Sequence, residues 1–223
     1  MRVVAWNVRS GIDRKWGALR DLGPDVAVLS EAARVPVALA APALGEPELS
    51  WEWEGVNDAK GVAVAAWDLP MRRRPTRDAS GRWATAGAIG QLLIVGIWSC
   101  PKGRGNYCEE VERSLDAYAD QISRHHDVII AGDFNVAPRA AEFRRIKDRM
   151  RRLGLVSAYH EFTGAPFGWE SQPTFHARHV NERDQHIDFI WLSEHLVGRV
   201  AQVTVGARGP SDHSPVILDL IDT

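Results

Sequence analysis

The feature that most constrains this 223-residue chain is a series of short apolar runs, each bounded by turn-forming residues, recurring from end to end. Runs of this length read as buried strands. They fall at Arg2–Trp6, Asp25–Ser30, Gly61–Trp67, Gln91–Ser99, Asp127–Ala131, His186–Leu192, Ala201–Val205 and Val216–Leu220. Helical spacing of apolar residues appears over Arg14–Leu22 and Glu110–Arg124, where Val111, Leu115, Tyr118, Ala119 and Ile122 share a face. It appears again over Ala140–Leu153, which groups Phe143, Ile146, Met150 and Leu153. Strands outnumber helices and alternate with them only in places, which predicts an α/β (α+β) arrangement with sheets inside and helices outside. Pro36 to Pro47 reads as irregular or partly helical surface chain, and Arg72–Ser80 as a basic loop. With no repeat and no flexible linker, residues 1–223 are expected to form a single domain.

Composition narrows the class without assigning a function. A 45% hydrophobic fraction excludes disorder, and Lys plus Arg (27) nearly balance Asp plus Glu (29). No overall basic field draws the chain onto nucleic acid, so such binding has to come from a local patch. The nine Trp can serve the core or a stacking surface. Cys100 and Cys108 are too few for a disulfide framework and are expected to be reduced. Met1-Arg2 runs straight into strand-like Val3-Val4-Ala5-Trp6, and the apolar runs fall far short of the roughly 20 residues of a membrane span. A cytoplasmic monomer without a membrane span is the expectation.

Polar residues gather where these runs stop. Asn7 follows Trp6, Glu31 follows Leu29-Ser30, and Asp133-Phe134-Asn135 follows Ile130-Ala131-Gly132. Asp188 lies within His186-Ile187-Asp188-Phe189-Ile190, and Ser211-Asp212-His213-Ser214 precedes the last run. Strand ends in a layered sheet protein share an edge, where ligand sites form. Carboxylate and amide oxygens are hard ligands suited to Mg²⁺ or Mn²⁺. An aspartate beside an amide can orient and deprotonate a water, and a His held by an Asp can donate to phosphoryl oxygens. Taken singly, such a residue is more often a turn residue, a cap or an ion-pair partner than a ligand; the ordered set carries the argument.

That set, Asn7, Glu31, Gly132-Asp133-Phe134-Asn135, Ile187-Asp188-Phe189-Ile190 and Ser211-Asp212-His213-Ser214-Pro215, resembles the endonuclease/exonuclease/phosphatase superfamily over residues 6 to 216. Its members include abasic-site endonucleases, pancreatic-type deoxyribonucleases, neutral sphingomyelinases and inositol polyphosphate phosphatases. The resemblance implies a four-layer αββα sandwich with two mixed β-sheets packed face to face. It implies a Mg²⁺ (or Mn²⁺) ion held by Glu31 with Asn7 and Asp212, directly or through water. Asp133 would orient or deprotonate the attacking water and Asn135 would fix it and touch the phosphate. His213, oriented by Asp188, would contact a non-bridging oxygen. The implied reaction is in-line cleavage of a P–O bond without a covalent enzyme intermediate. The substrate would be DNA or RNA, or else a small phosphorylated metabolite or lipid headgroup. A catalytically silent binding module is disfavoured because the full constellation is present.

The chain also departs from its relatives. The strand ending Ile97-Trp98-Ser99-Cys100 lacks a His that many members carry there. Abasic-site endonucleases place a Tyr in the following loop, and Tyr107 stands open between that role and a helix-entry aromatic over the core. His176 replaces the Trp that follows the Thr-Phe pair and shapes the abasic pocket in those enzymes. Ser30 replaces a common Gln before the metal Glu. Lys60 stands at a position where the family approaches phosphate, and equally suits a solvated surface. His176, Arg178 and Arg183, with His179, are further candidates for substrate contact. The basic run Arg144, Arg145, Lys147, Arg149, Arg151, Arg152 reads as a solvated helix face, and Arg72, Arg73, Arg74 and Arg77 form a loop cluster better placed for a backbone. His125-His126 and His176-x-x-His179 lack the Cys or Glu partners of usual zinc sites.

Overall fold

A computed structural model describes residues 1–40, 48–76, 83–101, 106–177 and 183–221. Its strands are β1 (Arg2–Asn7), β2 (Val26–Ala32), β3 (Leu49–Asn57), β4 (Lys60–Trp67), β5 (Met71–Arg73), β6 (Ala84–Ile89), β7 (Leu92–Trp98), β8 (Asp127–Asp133), β9 (Leu155–Ser157), β10 (Asp188–Ser193), β11 (Val200–Val205) and β12 (Val216–Leu220). The helices are α1 (Trp16–Asp21), α2 (Val37–Ala40), α3 (Tyr107–Ala117), α4 (Ala119–Arg124), α5 (Phe143–Arg152) and α6 (Ala158–Thr163). Two six-stranded sheets form, ordered β11-β12-β1-β2-β4-β3 and β5-β6-β7-β8-β10-β9. Both are mixed: β1 runs parallel to β2 and β7 parallel to β8, and the remaining pairs are antiparallel.

The layers follow from side-chain alternation. In the first sheet Val3, Ala5, Val26, Val28, Val62 and Val64 point inward, where they meet Ile94, Ile129, Ala131 and Ile190 of the second. The alternate residues Val4, Trp6, Ala27, Leu29 and Ala63 point outward onto Ile12 and Leu19. On the far side, Leu93, Val95, Val128 and Ile130 pack on Val111, Leu115, Ile146 and Met150 of α3 and α5. Burial on both faces explains why the central strands read as continuous apolar runs.

Four strands are absent from the sequence reading, and all are atypical. β3 alternates Trp51 and Trp53 with Glu52 and Glu54 on an edge. β6 is built mostly of Ala and Gly, and β5 and β9 have three residues each. The stretch expected as a basic loop therefore begins as edge strand β5, and Arg77 lies outside the described residues. The predicted helix Glu110–Arg124 breaks at Tyr118 (φ −106°, ψ 5°), whose ring is buried, and resumes as α4. The basic run of α5 is partly paired: Arg145 bonds Glu112, and Arg149 Nη2 lies 2.6 Å from Asp116 Oδ1 of α3. Both cysteines are free thiols, and Cys108 Sγ donates to Glu142 O at 3.4 Å. Among the described residues no helix is long and apolar enough to cross a membrane.

Candidate active site

The topology delivers the polar strand ends to one edge. β1 stops there at Asn7, β2 carries Glu31 one residue before its end at Ala32, and β8 stops at Asp133, directly opposite Asp188, the first residue of antiparallel β10. Antiparallel β12 begins at the same edge, just after Asp212-His213. Asn7, Glu31, Asp133, Asp212 and His213 line a cleft of about 520 Å³ with Arg9, Asn57, Lys60, Trp83, Trp98, Tyr107 and Phe175, and Asp188 lies buried behind His213.

Local backbone features aim these groups. Pairing of β2 with β4 slips between Ser30 and Ala32, and Glu31 in the bulge has φ 57°. A bulge re-aims a side chain that regular pleating would send to one sheet face, and here it turns Glu31 into the cleft. Gly132 is required before Asp133: its φ is 132°, and an added Cβ would lie 2.0 Å from Ile97 O. Asn135 also adopts a positive φ, 53°. Non-glycine residues held left-handed cost roughly 1–3 kcal/mol each and cluster at functional sites.

Asp133 is the hub. Its carboxylate accepts from Asn7 Nδ2 at 2.8 Å, Asn135 Nδ2 at 2.9 Å and the Asn135 backbone N–H at 2.9 Å. Asn135 Nδ2 also donates to Ser99 O (2.9 Å), which fixes its amide. Burial and the charge of Asp188 push the Asp133 carboxyl up to about 7, against the opposing pull of His213 and these donors. Asp188, fully buried, accepts from His213 Nδ1 at 2.8 Å, which leaves Nε2 for the cleft. Thr174 Oγ1 accepts the Asp188 N–H at 3.0 Å, and Trp6 Nε1 donates to His213 O at 2.9 Å, so both partners of this pair are anchored. Burial disfavours the His213 cation, but Asp188, Asp133 and Asp212 outweigh it and raise the imidazole to about 9.

On the other side, Glu31 Oε2 accepts from Lys60 Nζ at 2.6 Å, and Asp212 Oδ2 lies 3.1 Å from Arg9 Nε. Both carboxylates thus already draw positive charge, and with the cleft's other oxygen donors they fit a hard divalent cation. Asn7 is oriented differently from a ligand: Nδ2 faces Glu31 (3.4 Å) and Asp133, and its oxygen accepts the Arg9 N–H at 2.8 Å. In this orientation it ties two carboxylates together, and coordination through oxygen requires the amide to turn over. The ligand atoms of Asp133, Asp188 and His213 all lie within 4.8 Å of one another.

The remaining candidates divide. Lys60 lines the cleft and lies over the Trp98 ring at 5.9 Å. Tyr107, the first residue of α3, is 46% exposed and lines the cleft rather than covering the core. Arg183 lines an adjoining cleft of about 740 Å³ that shares Phe175 with the first and also holds Arg139. His176 sits behind the site, with Nε2 2.8 Å from Ser214 Oγ and its N–H donating to Asp212 O at 2.8 Å, so it braces the Asp212-His213 segment. Arg178 and His179 lie outside the described residues. Arg9, Ser10, Trp98 and Thr174 were missed; only Gly11, ending the left-handed run Arg9-Ser10-Gly11, signalled the tight loop that carries Arg9 to Asp212.

No curated protein matches the chain. Among solved structures, a 3′ phosphatase of Neisseria, NExo, bound to a product DNA hairpin, superposes with a TM-score of 0.77 at 18% identity over 99% of both chains. An AP endonuclease from Archaeoglobus fulgidus gives 0.71 at 17% identity, again over 99% of both. The AP endonuclease LMAP from Leishmania major gives 0.72 at 16%, covering 97% of this chain and 86% of that one. At such identities these likenesses establish the shared fold. The sequence model of the Endonuclease/Exonuclease/phosphatase family matches residues 4–213, nearly the whole chain, and the protein therefore belongs to that family of phosphoesterases.

Proposed function

We propose that the protein is a divalent-metal-dependent phosphodiester hydrolase acting on DNA or RNA. The observation that carries this reading is Asp133, clamped by the amides of Asn7 and Asn135 and facing the same cleft as His213, which buried Asp188 holds from behind. Asp133, with its raised pKa, takes the proton of a water held against Asn135. The water attacks phosphorus in line as the opposite P–O bond breaks, and the departing oxygen keeps the electron pair and takes a proton from solvent. The charged His213 donates from Nε2 to a non-bridging oxygen, while Nδ1–H donates to Asp188 and keeps the ring oriented. Glu31 and Asp212, with Asn7 once its amide is turned, would hold Mg²⁺ or Mn²⁺, which when bound neutralises phosphate charge. Lys60 and Arg9 lie beside these carboxylates and are available to phosphate oxygens. Tyr107 at the rim and Arg183 in the adjoining cleft are the proposed further contacts.

A polymer substrate is favoured by the second cleft running on from Phe175 with Arg139 and Arg183 in its walls, which suits phosphates flanking the scissile one. The structural relatives named above as a phosphatase with product DNA and as AP endonucleases point the same way.

The test is hydrolysis of supercoiled plasmid, abasic duplex, single-stranded DNA, RNA and bis-p-nitrophenyl phosphate with Mg²⁺ or Mn²⁺, with EDTA as control. Expected is EDTA-sensitive cleavage of a nucleic acid that Asp133→Asn reduces by about 10²- to 10⁴-fold while the circular dichroism spectrum is unchanged. Full activity in that variant would remove Asp133 from the chemistry, and cleavage of the small diester alone would move the substrate to metabolites. Glu31→Ala is expected to raise the metal concentration needed for half-maximal rate; unchanged metal dependence would end its assignment as a ligand.

A further inference from the structure

A second group of metal-ligating side chains lies at the opposite end of β8 from Asp133. His126 Nδ1 and His195 Nε2 each approach the same atom, Asp127 Oδ1, at 2.8 Å. The two imidazoles lie 3.9 Å apart, centroid to centroid, at 37°. The three potential ligand atoms all fall within 4.8 Å of one another. Asp127 and Asp133 are the two ends of a seven-residue strand, so this cluster stands about 20 Å from the catalytic cleft at about 3.3 Å per residue. His126 and Asp127 are neighbours in sequence, but His195 comes from the 3₁₀ turn Glu194–Arg199 that follows β10.

We propose that His126, Asp127 and His195 form a binding site for a borderline divalent transition ion, with Zn²⁺ as its representative. Two imidazole nitrogens and one carboxylate oxygen are the donor set that such ions prefer, whereas Glu31 and Asp212 offer only oxygen to hard cations. The side chains converge on one point without an ion, so binding requires small shifts. Two rings that now hydrogen-bond one oxygen would instead turn unprotonated nitrogens to the ion, each ring carrying its proton on the other nitrogen. His126 and His195 are 80% and 40% exposed, which leaves a fourth position open to water. His125 takes no part: its Nδ1 is bound to Gln121 O at 2.8 Å. The bound ion clasps the start of β8 to the turn after its partner β10, at the end of the second sheet remote from the chemistry.

The experiment is isothermal titration of the tag-free, metal-depleted full chain with Zn²⁺ in excess Mg²⁺, accompanied by thermal melts. The parent protein is expected to take up one Zn²⁺ per chain and to melt at higher temperature with it. Removing even an outer-shell partner of a ligand typically costs about 10- to 100-fold in affinity, so His126→Ala and His195→Ala should each weaken Zn²⁺ by at least about 100-fold. Both variants should keep the parent's Mg²⁺-supported hydrolysis. Absence of Zn²⁺ binding in excess Mg²⁺, or binding that survives either substitution, would overturn the site. Failure of the hydrolase reading leaves this outcome untouched, because the titration reads binding and melting alone.

Discussion

At the scale of single residues, the site depends on charges withheld from water and set against one another. Asp133 and Asp188 face each other across the β8–β10 pair, and His213 is the cation between them. Because its folded pKa is raised from 6.5 to about 9, the charged imidazole stabilises the fold fully below pH 6.5, and that contribution is lost as pH rises through about 9. An NMR titration of the His213 ring in EDTA is expected to show a midpoint well above 6.5, and Asp188→Asn should bring it down. A parent midpoint at or below 6.5 would mean that burial, not Asp188, controls the ring. The types of these residues were legible in the sequence. Their partners were not: Lys60 and Glu31 are 29 positions apart, and Asn7 and Asp133 are 126 apart.

At the scale of elements, packing and charge make unequal contributions. α5 presents Phe143, Ile146 and Met150 to the second sheet and sets Arg145 and Arg149 against the acids of α3. Ile146 is fully buried, so Ile146→Ala is expected to cost about 2–5 kcal/mol in denaturant unfolding. Arg149→Ala removes an ion pair with an exposed partner and should cost less than about 1 kcal/mol. Equal losses would show that the α3–α5 ion pairs, not the apolar stripe, secure the helix. The stripe was readable from its period; β1, β2, β4, β7, β8 and β10 were readable because both their faces are buried, and edge strand β11 and its neighbour β12 from their short apolar runs. Edge strands β3 and β5, the small-residue strand β6 and three-residue β9 were not, since their side chains lack the apolar run that marks a covered strand.

At the scale of the whole molecule, one apolar layer lies between the two sheets and contains residues of both, including Val28 and Ile129. We expect residues 1–223 to unfold as one domain. Tryptophan fluorescence and far-ultraviolet circular dichroism should then give coincident transitions, with Trp67 outside the first sheet and Trp191 outside the second as reporters. Two separated transitions would divide the chain into independent units. The sequence alone determined which segments are strands with two covered faces, which helices carry an apolar stripe, and which acids and amides end the strands, because side-chain period and chemical type are local properties. Only the tertiary structure decided that Glu31 sits in a bulge, that Arg9 and Lys60 meet the carboxylates, that Tyr107 faces the cleft and that His195 joins His126. Those facts depend on register and on long-range packing, which bring together residues that no local pattern relates.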